Sequence, residues 1–171
     1  AQVQSDFEAE VAVHAKLKSS SIVKLYGVTL EQPYCMVMEY MPNQSLDKYL
    51  QNNQPSTVSW TIRIQLAHDI AVGLDYLHTQ EPPIIHADLK SLNVLLDKKN
   101  RAKLADFGLA TIKKETASRI QTSTKAGDAK GPQGSLLWMA PELFRRGAKS
   151  SKESDVYAYG MVIWEISTHQ Y

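Results

Sequence analysis

The sequence of 171 residues lacks several features that would point to particular protein classes. It has a single cysteine, Cys35, which excludes an internal disulfide framework and is typical of a reducing compartment. Its formal net charge is +1, which gives no electrostatic reason to expect a nucleic acid or an anionic membrane as partner. The longest apolar run, residues 156–164, is too short to span a bilayer, and residues 1–4 show no secretory signal pattern. We therefore expect a cytoplasmic protein with no direct membrane insertion.

The most informative stretch is residues 84–96, where two apolar runs flank a short polar segment. Such runs are typical of buried strands, so the polar residues between them are expected in a loop that is held at both ends. Asp88, Lys90 and Asn93 give this loop a carboxylate, a cation and an amide, and Asp106 follows as a second carboxylate. This set suits phosphoryl transfer, which needs a carboxylate to orient a hydroxyl, a cation for the moving phosphoryl group and oxygen ligands for magnesium.

Three motifs in this sequence resemble those of eukaryotic-type protein kinases. Residues 86–93, HADLKSLN, resemble the catalytic loop H-R-D-L-x-x-x-N, and residues 106–108 match its metal motif D-F-G. Residues 140–142 match the later A-P-E motif in the expected order. Together with residues 138–142 and 154–160, the catalytic loop resembles the tyrosine-kinase-like group, which includes Raf and mixed-lineage relatives and acts on serine and threonine.

This resemblance implies an α+β fold, the bilobal protein-kinase-like fold, truncated at both ends. Residues 1–41 would be a partial small lobe with the regulatory helix and the hinge strand. Residues 42–171 would be a partial large lobe with the catalytic loop, the activation loop and the central helix. No glycine precedes Gly27 and no lysine precedes Lys16, so the family's glycine-rich loop and strand lysine are expected to be missing here. We therefore expect this chain by itself to be inactive.

The resemblance also implies roles for the residues of the catalytic loop. Asp88 would accept or orient the proton of the attacking hydroxyl, and Lys90 would stabilise the transferring phosphoryl group. Asn93 and Asp106 would hold Mg²⁺. Ser135 matches a family threonine that hydrogen-bonds the carboxylate and the lysine of that loop and helps to seat a serine or threonine substrate.

For ATP, the resemblance implies a hinge after Met38, with Glu39 and Met41 supplying backbone contacts to adenine. Leu95 would form the floor under the adenine ring. Glu10 matches the glutamate that pairs with the missing strand lysine, although on spacing alone it would be a solvated helix charge. From the residues alone, an ordinary strand followed by a turn explains the hinge segment equally well.

Three residues depart from the family pattern or have an alternative reading. Ala87 replaces the arginine that binds a phosphorylated activation-loop residue, so activation should not depend on that contact. His14 falls one turn after Glu10, where the family usually has an apolar residue of its internal spine, and a partly buried histidine with its hydrogen bonds satisfied is expected rather than a functional one. His86 is expected to pack beneath the catalytic loop, because no further His, Asp or Glu cluster supports a zinc site.

Helix boundaries are predicted from capping patterns. Ser5 with Glu8 and Ser150 with Glu153 have the spacing of capping boxes, and Ser59 is expected to cap a long helix that ends near residue 79. Residues 156–164 are apolar almost all round, as in a helix buried on every side. The resemblance implies that this is the central helix of the large lobe and that Asp155 anchors the catalytic loop through backbone hydrogen bonds. We expect this helix to expose an apolar patch in the isolated chain, and a partner could cover it.

The sequence thus predicts a protein that transfers the γ-phosphoryl group of ATP to serine or threonine of protein substrates. The alternative is a pseudokinase, a binding scaffold that keeps the fold without catalysis. A small-molecule kinase is disfavoured by the A-P-E motif and by the long segment that precedes it. The hydroxyl residues of that segment, residues 106–142, have about equal claims to be phosphorylation sites or plain solvent-facing residues.

Overall fold

The structure is a computed structural model that describes residues 2–29, 31–108, 110–112, 135–145 and 147–170. Its helices and strands are α1 (Gln2–His14), β1 (Leu25–Thr29), β2 (Cys35–Met38), α2 (Leu46–Asn52), α3 (Trp60–His78), β3 (Ile84–Ile85), β4 (Val94–Leu96), β5 (Ala102–Leu104), β6 (Thr111–Ile112) and α4 (Lys152–Thr168). Short 3₁₀ turns lie at Ser91–Asn93, Ser135–Trp138 and Pro141–Phe144. In the described ranges the strands pair as three antiparallel two-stranded sheets, β1 with β2, β3 with β6 and β4 with β5. Helices and small antiparallel sheets together give the predicted α+β fold.

Helix α3 forms the centre of the core. Its predicted apolar stripe is buried: Leu66, Ile70, Leu74 and Leu77 are each at most 4% exposed. The stripe packs in one hydrophobic cluster with α4, β4 and β5. At Gly73 a Cβ atom would lie 2.9 Å from Cδ1 of Leu104, so a larger residue there would require the buried Leu104 side chain of β5 to shift.

The capping predictions were right for α3 and wrong for α1. Ser59 caps α3, because its side chain accepts a hydrogen bond from the backbone N–H of Ile62. Helix α1 begins at Gln2, so Ser5 lies inside the helix instead of capping it. Nothing in residues 2–4 breaks a helix, and the helix continues upstream of the serine.

The capping box of α4 is displaced by one residue from the predicted Ser150. Ser151 is the cap, and its side chain and that of Ser154 each accept a hydrogen bond from the other's backbone N–H. Ser150 and Ser151 are adjacent in the sequence, and the spacing to Glu153 indicated Ser150 instead of Ser151 as the cap.

Helix α4 is buried on one side and exposed on the other in the described part of the chain. Ala158, Val162 and Ile166 are at most 6% exposed and face α3 and the core. Val156 and Trp164 are more than half exposed, as expected for the isolated chain. The occupant of this apolar face stays a prediction, as does the lobe boundary after residue 41.

Candidate active site

Helix α4 anchors the predicted catalytic loop through the side chain of Asp155. The loop leaves β3, whose residues are buried, and its first two backbone N–H groups, those of His86 and Ala87, donate to the carboxylate of Asp155, each at 2.9 Å. Asp155 is only 1% exposed. Ala87 has φ of +66°, a left-handed conformation that a residue with a Cβ adopts at a cost. The two bonds to Asp155 hold the backbone in that conformation.

His78 is a further member of this anchor, and the sequence analysis gave it no role. It lies at the end of α3, and its Nε2 lies 2.8 Å from Oδ2 of Asp155. Its side chain is 12% exposed. The three groups that contact Asp155 lie 68 to 77 residues before it in the chain, so no local pattern could have linked His78 to it.

The polar residues of the loop converge on Asp88. Lys90 Nζ donates to Oδ2 of Asp88 at 2.7 Å, and Asn93 Nδ2 donates to the same oxygen at 3.0 Å and to the Asp88 carbonyl at 2.9 Å. The 3₁₀ turn at Ser91–Asn93 produces this arrangement, because it brings residue 93 back over residue 88. A carboxylate held by a cation and an amide is fixed in orientation and stays available to accept a proton.

Asp106 lies next to this group. The backbone N–H of Ala105 donates to the carbonyl of Asn93 at 2.9 Å, which brings the two predicted magnesium ligands onto neighbouring strand ends. Asp106 has φ of +63°, and its Oδ1 accepts from Gly108 N at 3.3 Å. Because Asn93 uses its amide nitrogen on Asp88, its oxygen is the atom left for a ligand. A carboxylate and an amide oxygen fit Mg²⁺, which takes few protein ligands together with phosphates and water.

Phe107 is buried beneath the site between two histidine rings. Its ring centroid lies 5.3 Å from that of His86 and 4.9 Å from that of His14. His86 is fully buried, as expected, and burial lowers its pKa against the opposing effect of nearby carboxylates, among them Asp155 and Asp88. The full burial of the ring and its contact with Phe107 support the packing role predicted for His86. Within the described ranges, no three His, Cys, Asp or Glu side chains are grouped to hold a metal ion.

Glu10, which the resemblance assigns to the family's strand lysine, faces Asp106 in the structure. A Cβ atom on Gly108 would lie 3.4 Å from Oε2 of Glu10 and 3.3 Å from Oδ1 of Asp106, so both carboxylates border this glycine. Burial raises the pKa of Glu10, and the charge of Asp106 raises it further. Two facing carboxylates repel, and a cation placed between them would favour their charged forms.

Two of the residues predicted to contact adenine, Met41 and Leu95, belong to a small apolar cluster separate from the main core. Val23, Met41 and Ala105 are buried in it, and Leu95 packs against them. Leu95 lies on β4 opposite Lys103 of β5. In the described part of the chain, neither the carbonyl of Glu39 nor the N–H of Met41 takes part in a backbone hydrogen bond.

The side chain of Glu39 is bound to Lys103, a contact that the sequence analysis missed. Lys103 Nζ lies 2.6 Å and 2.8 Å from the two carboxylate oxygens of Glu39. The backbone of Glu39 is fixed as well, because its N–H donates to the Lys24 carbonyl at 2.8 Å. A strand lysine opposite an apolar residue is an ordinary surface pattern, so the sequence carried no signal for this pair.

The segment before the A-P-E motif is joined to α4. Nε1 of Trp138 donates to Oε1 of Glu165, which is 2% exposed. Burial raises the pKa of Glu165, and the hydrogen bond from Trp138 opposes that shift. Ser135 begins the 3₁₀ turn at Ser135–Trp138. Its side chain, and the hydroxyl residues in 113–134, lie outside the described residues.

Comparison with known proteins places this site in a family. The family described as protein tyrosine and serine/threonine kinase matches residues 1–171. The chain belongs to this protein kinase family. The resemblance drawn from the three motifs is therefore confirmed, and so is the α+β protein-kinase-like fold that it implied.

Several curated relatives are similar to this kinase chain over nearly its whole length. Serine/threonine/tyrosine-protein kinase HT1 of Arabidopsis thaliana is 37% identical over 98% of the chain, which covers 40% of that relative. Receptor-interacting serine/threonine-protein kinase 2 of Bos taurus is 35% identical over 95% of the chain, covering 30% of the relative. Serine/threonine-protein kinase CTR1 of Arabidopsis thaliana is 38% identical over 97% of the chain, covering 19% of the relative. The chain thus spans less than half the length of each of these relatives.

Proposed function

We propose that the whole protein transfers the γ-phosphoryl group of ATP to serine or threonine side chains of protein substrates. The observation that carries this proposal is the arrangement of Asp88, Lys90 and Asn93 in one loop held by Asp155. Phosphoryl transfer needs little covalent chemistry from the protein, and a rigid set of charges is what it requires.

In this proposal Asp88 receives the hydrogen bond of the attacking hydroxyl and aligns the oxygen with phosphorus. Nζ of Lys90 lies 2.7 Å from Oδ2 of Asp88, and we assign it to the oxygens of the phosphoryl group during transfer. Asn93 and Asp106 hold Mg²⁺, which when bound neutralises phosphate charge. Glu10 is assigned as the ion-pair partner of the lysine that the family has on an upstream strand.

The adenine ring is assigned to the cluster of Val23, Met41, Leu95 and Ala105. Leu95 packs against one face of the adenine ring. The carbonyl of Glu39 and the N–H of Met41 form hydrogen bonds with the polar edge of the ring. The pairs that fix Glu39, its bonds with Lys103 and Lys24, support this assignment because they keep the carbonyl in one orientation.

Transfer to serine and threonine is supported by Lys90 and by the names of the relatives, although HT1 is also named a tyrosine kinase. Ser135 would seat the substrate hydroxyl. A cytoplasmic location belongs to the proposal too and rests on the single cysteine. None of the described helices has the length and apolar character needed to cross a membrane.

The test is transfer of label from [γ-³²P]ATP by the whole protein onto itself and onto a generic protein substrate, followed by phosphoamino-acid analysis. We expect phosphoserine or phosphothreonine that is absent from the Asp88→Asn variant. Phosphotyrosine alone would overturn the proposed specificity. If the folded whole protein has a glycine-rich loop upstream and still incorporates no more label than the Asp88→Asn variant, the scaffold alternative is favoured.

The replacement of the family arginine by Ala87 leads to a prediction about activation. Changing Thr122, Ser123 and Thr124 together to alanine should leave kcat within about threefold, because alanine at residue 87 offers no guanidinium to a phosphate. Steady-state assays of the whole protein after phosphatase treatment measure this. A loss of activity much beyond threefold in the triple variant would contradict the prediction.

A further inference from the structure

Glu165 is a buried carboxyl group between two segments of the candidate site. It lies on α4 and is 2% exposed, and its Oε1 accepts a hydrogen bond from Nε1 of Trp138. Trp138 ends the 3₁₀ turn Ser135–Trp138 and is itself buried. Burying a carboxyl group is costly unless hydrogen bonds satisfy its oxygens, so the surroundings of the second oxygen need an explanation.

Ser91 is the neighbour that fits this second oxygen. Oε2 of Glu165 and Oγ of Ser91 are both buried, and neither has a hydrogen-bond partner in the described part of the chain. Burial raises the pKa of the Glu165 carboxyl, whereas the nearby Ser91 hydroxyl and the indole of Trp138 lower it. A carboxylate has two acceptor oxygens, so Glu165 can receive the indole on one and the hydroxyl on the other.

One of these two partners belongs to the catalytic loop. Ser91 is 1% exposed and begins the 3₁₀ turn Ser91–Asn93. From that turn, Nδ2 of Asn93 donates to Oδ2 of Asp88 at 3.0 Å. A contact on Ser91 therefore acts on the turn that orients the Asp88 carboxylate.

The other partner belongs to the segment assigned to the protein substrate, which we call the substrate segment, residues 135–138. It begins at Ser135, the residue assigned to the substrate hydroxyl. Leu136 and Leu137 are about half exposed, whereas Trp138 packs in the main core. Among the described side chains of this segment, the indole therefore provides the polar attachment to α4, and the two leucines leave an apolar surface for a substrate.

We infer that Glu165 is a positioning residue, which holds the substrate segment against the catalytic loop and so sets where a protein substrate meets Asp88. The inference rests on the proposed phosphoryl transfer and adds a determinant of protein-substrate binding to it. Glu165 touches neither ATP nor the substrate in this assignment, and it acts through the indole of Trp138 and the hydroxyl of Ser91. The contacts assigned to ATP come from other residues, so ATP binding should not depend on Glu165.

Three substitutions separate the hydrogen bonds from the packing. Glu165→Leu removes both acceptor oxygens and leaves the indole N–H and the Ser91 hydroxyl without them. Glu165→Gln keeps an oxygen for the indole and offers Ser91 an amide N–H, which a hydroxyl oxygen can accept. Trp138→Phe keeps an aromatic ring in the core and removes the donor. Glu153→Leu is the matched control, because Glu153 is exposed on the first turn of the same helix.

In the whole protein we expect Glu165→Leu and Trp138→Phe each to lower kcat/KM for a protein substrate about tenfold, because a buried polar group loses its partner. Glu165→Gln and Glu153→Leu should stay within about threefold of wild type. The KM for ATP, and the slow hydrolysis of ATP without protein substrate, should be unchanged in all four variants, because transfer to water does not use the substrate segment.

The double variant tests whether the two residues act through the same bond. Combining Glu165→Leu with Trp138→Phe should lower kcat/KM no further than the leucine substitution alone. Additive losses in the double variant, or equal losses in the leucine and glutamine variants, would overturn the inference. A loss of ATP hydrolysis that parallels the loss of transfer would overturn it too, because it would show a general loss of structure.

The indole N–H of Trp138 provides a readout that does not need activity. Its NMR signal is the one that disappears in Trp138→Phe, and we expect it to exchange with water faster in Glu165→Leu than in Glu165→Gln and wild type. Equal exchange in all three proteins would refute the contact. If the wild-type protein transfers no phosphoryl group, the proposed function fails, and the indole signal still decides whether Glu165 holds the substrate segment.

Discussion

Replacing Asp88 by asparagine is expected to lower kcat at least about 100-fold while leaving the folded structure intact. The carboxylate of Asp88 is the acceptor on which Lys90 and Asn93 converge. Asparagine has the same shape and can still accept from both through its amide oxygen, so the loop should keep its geometry. It cannot take a proton from an attacking hydroxyl, and it removes the charge that Lys90 balances. Steady-state assays with ATP and a protein substrate measure the loss.

The matched control for this substitution is Asp75→Asn. Asp75 is exposed on α3, away from the loop, and the same chemical change there should leave kcat within experimental error. Thermal unfolding of both variants should lie close to that of wild type. If Asp88→Asn keeps more than about a tenth of wild-type kcat, Asp88 does not have the role proposed for it.

Replacing Asp155 by alanine is expected to have the second large effect, on stability as well as on activity. Its carboxylate accepts from the N–H groups of His86 and Ala87 and lies 2.8 Å from Nε2 of His78, and it is 1% exposed. Alanine would leave these buried donors without an acceptor, at about 1–3 kcal/mol for each such group. Because the left-handed backbone at Ala87 depends on those bonds, we expect the loop to relax and kcat to fall at least about 100-fold.

Chemical denaturation of the whole protein measures the stability change, and Asp75→Ala is the control. Asp155→Asn should fall between wild type and alanine, because one amide oxygen can accept from part of the donor set. Unchanged denaturation and unchanged kcat in Asp155→Ala would show that the loop is held by other contacts. A stability loss with full activity would separate the anchor from catalysis.

Local sequence patterns predicted the elements of this fold well where they depend on near neighbours. The stripe from Leu66 to Leu77 requires a helix with one buried face, and the capping pattern at Ser59 starts that helix where it begins in the structure. The patterns at Ser5 and Ser150 failed because a serine with an acidic residue three positions later is also found inside helices and beside better caps. Capping depends on which backbone N–H the side chain reaches, and the spacing alone does not fix this.

The candidate site was predicted from motif order, and the family resemblance also implied that Asp155 anchors the catalytic loop, but the other supporting contacts were not predicted. Asp88, Lys90 and Asn93 lie within six residues, so a single turn brings them together whatever the rest of the chain does. The contacts of His78 with Asp155, of Glu39 with Lys103 and of Trp138 with Glu165 join positions 27 to 77 residues apart. Each contact joins two common residue types, so a single sequence contains no pattern that predicts the pair.

The sequence by itself determined the family, the set of reacting groups and the apolar faces of the helices, because motif spacing and periodicity are local properties of the chain. Only the tertiary structure decided the further contacts that hold those groups: that His78 also lies against Asp155 of α4 and that Glu10 faces Asp106 across Gly108. It also decided that His14 bonds the carbonyl of Val23. These contacts depend on which segments the hydrophobic core brings together, and burial then makes each polar group find a partner among its new neighbours.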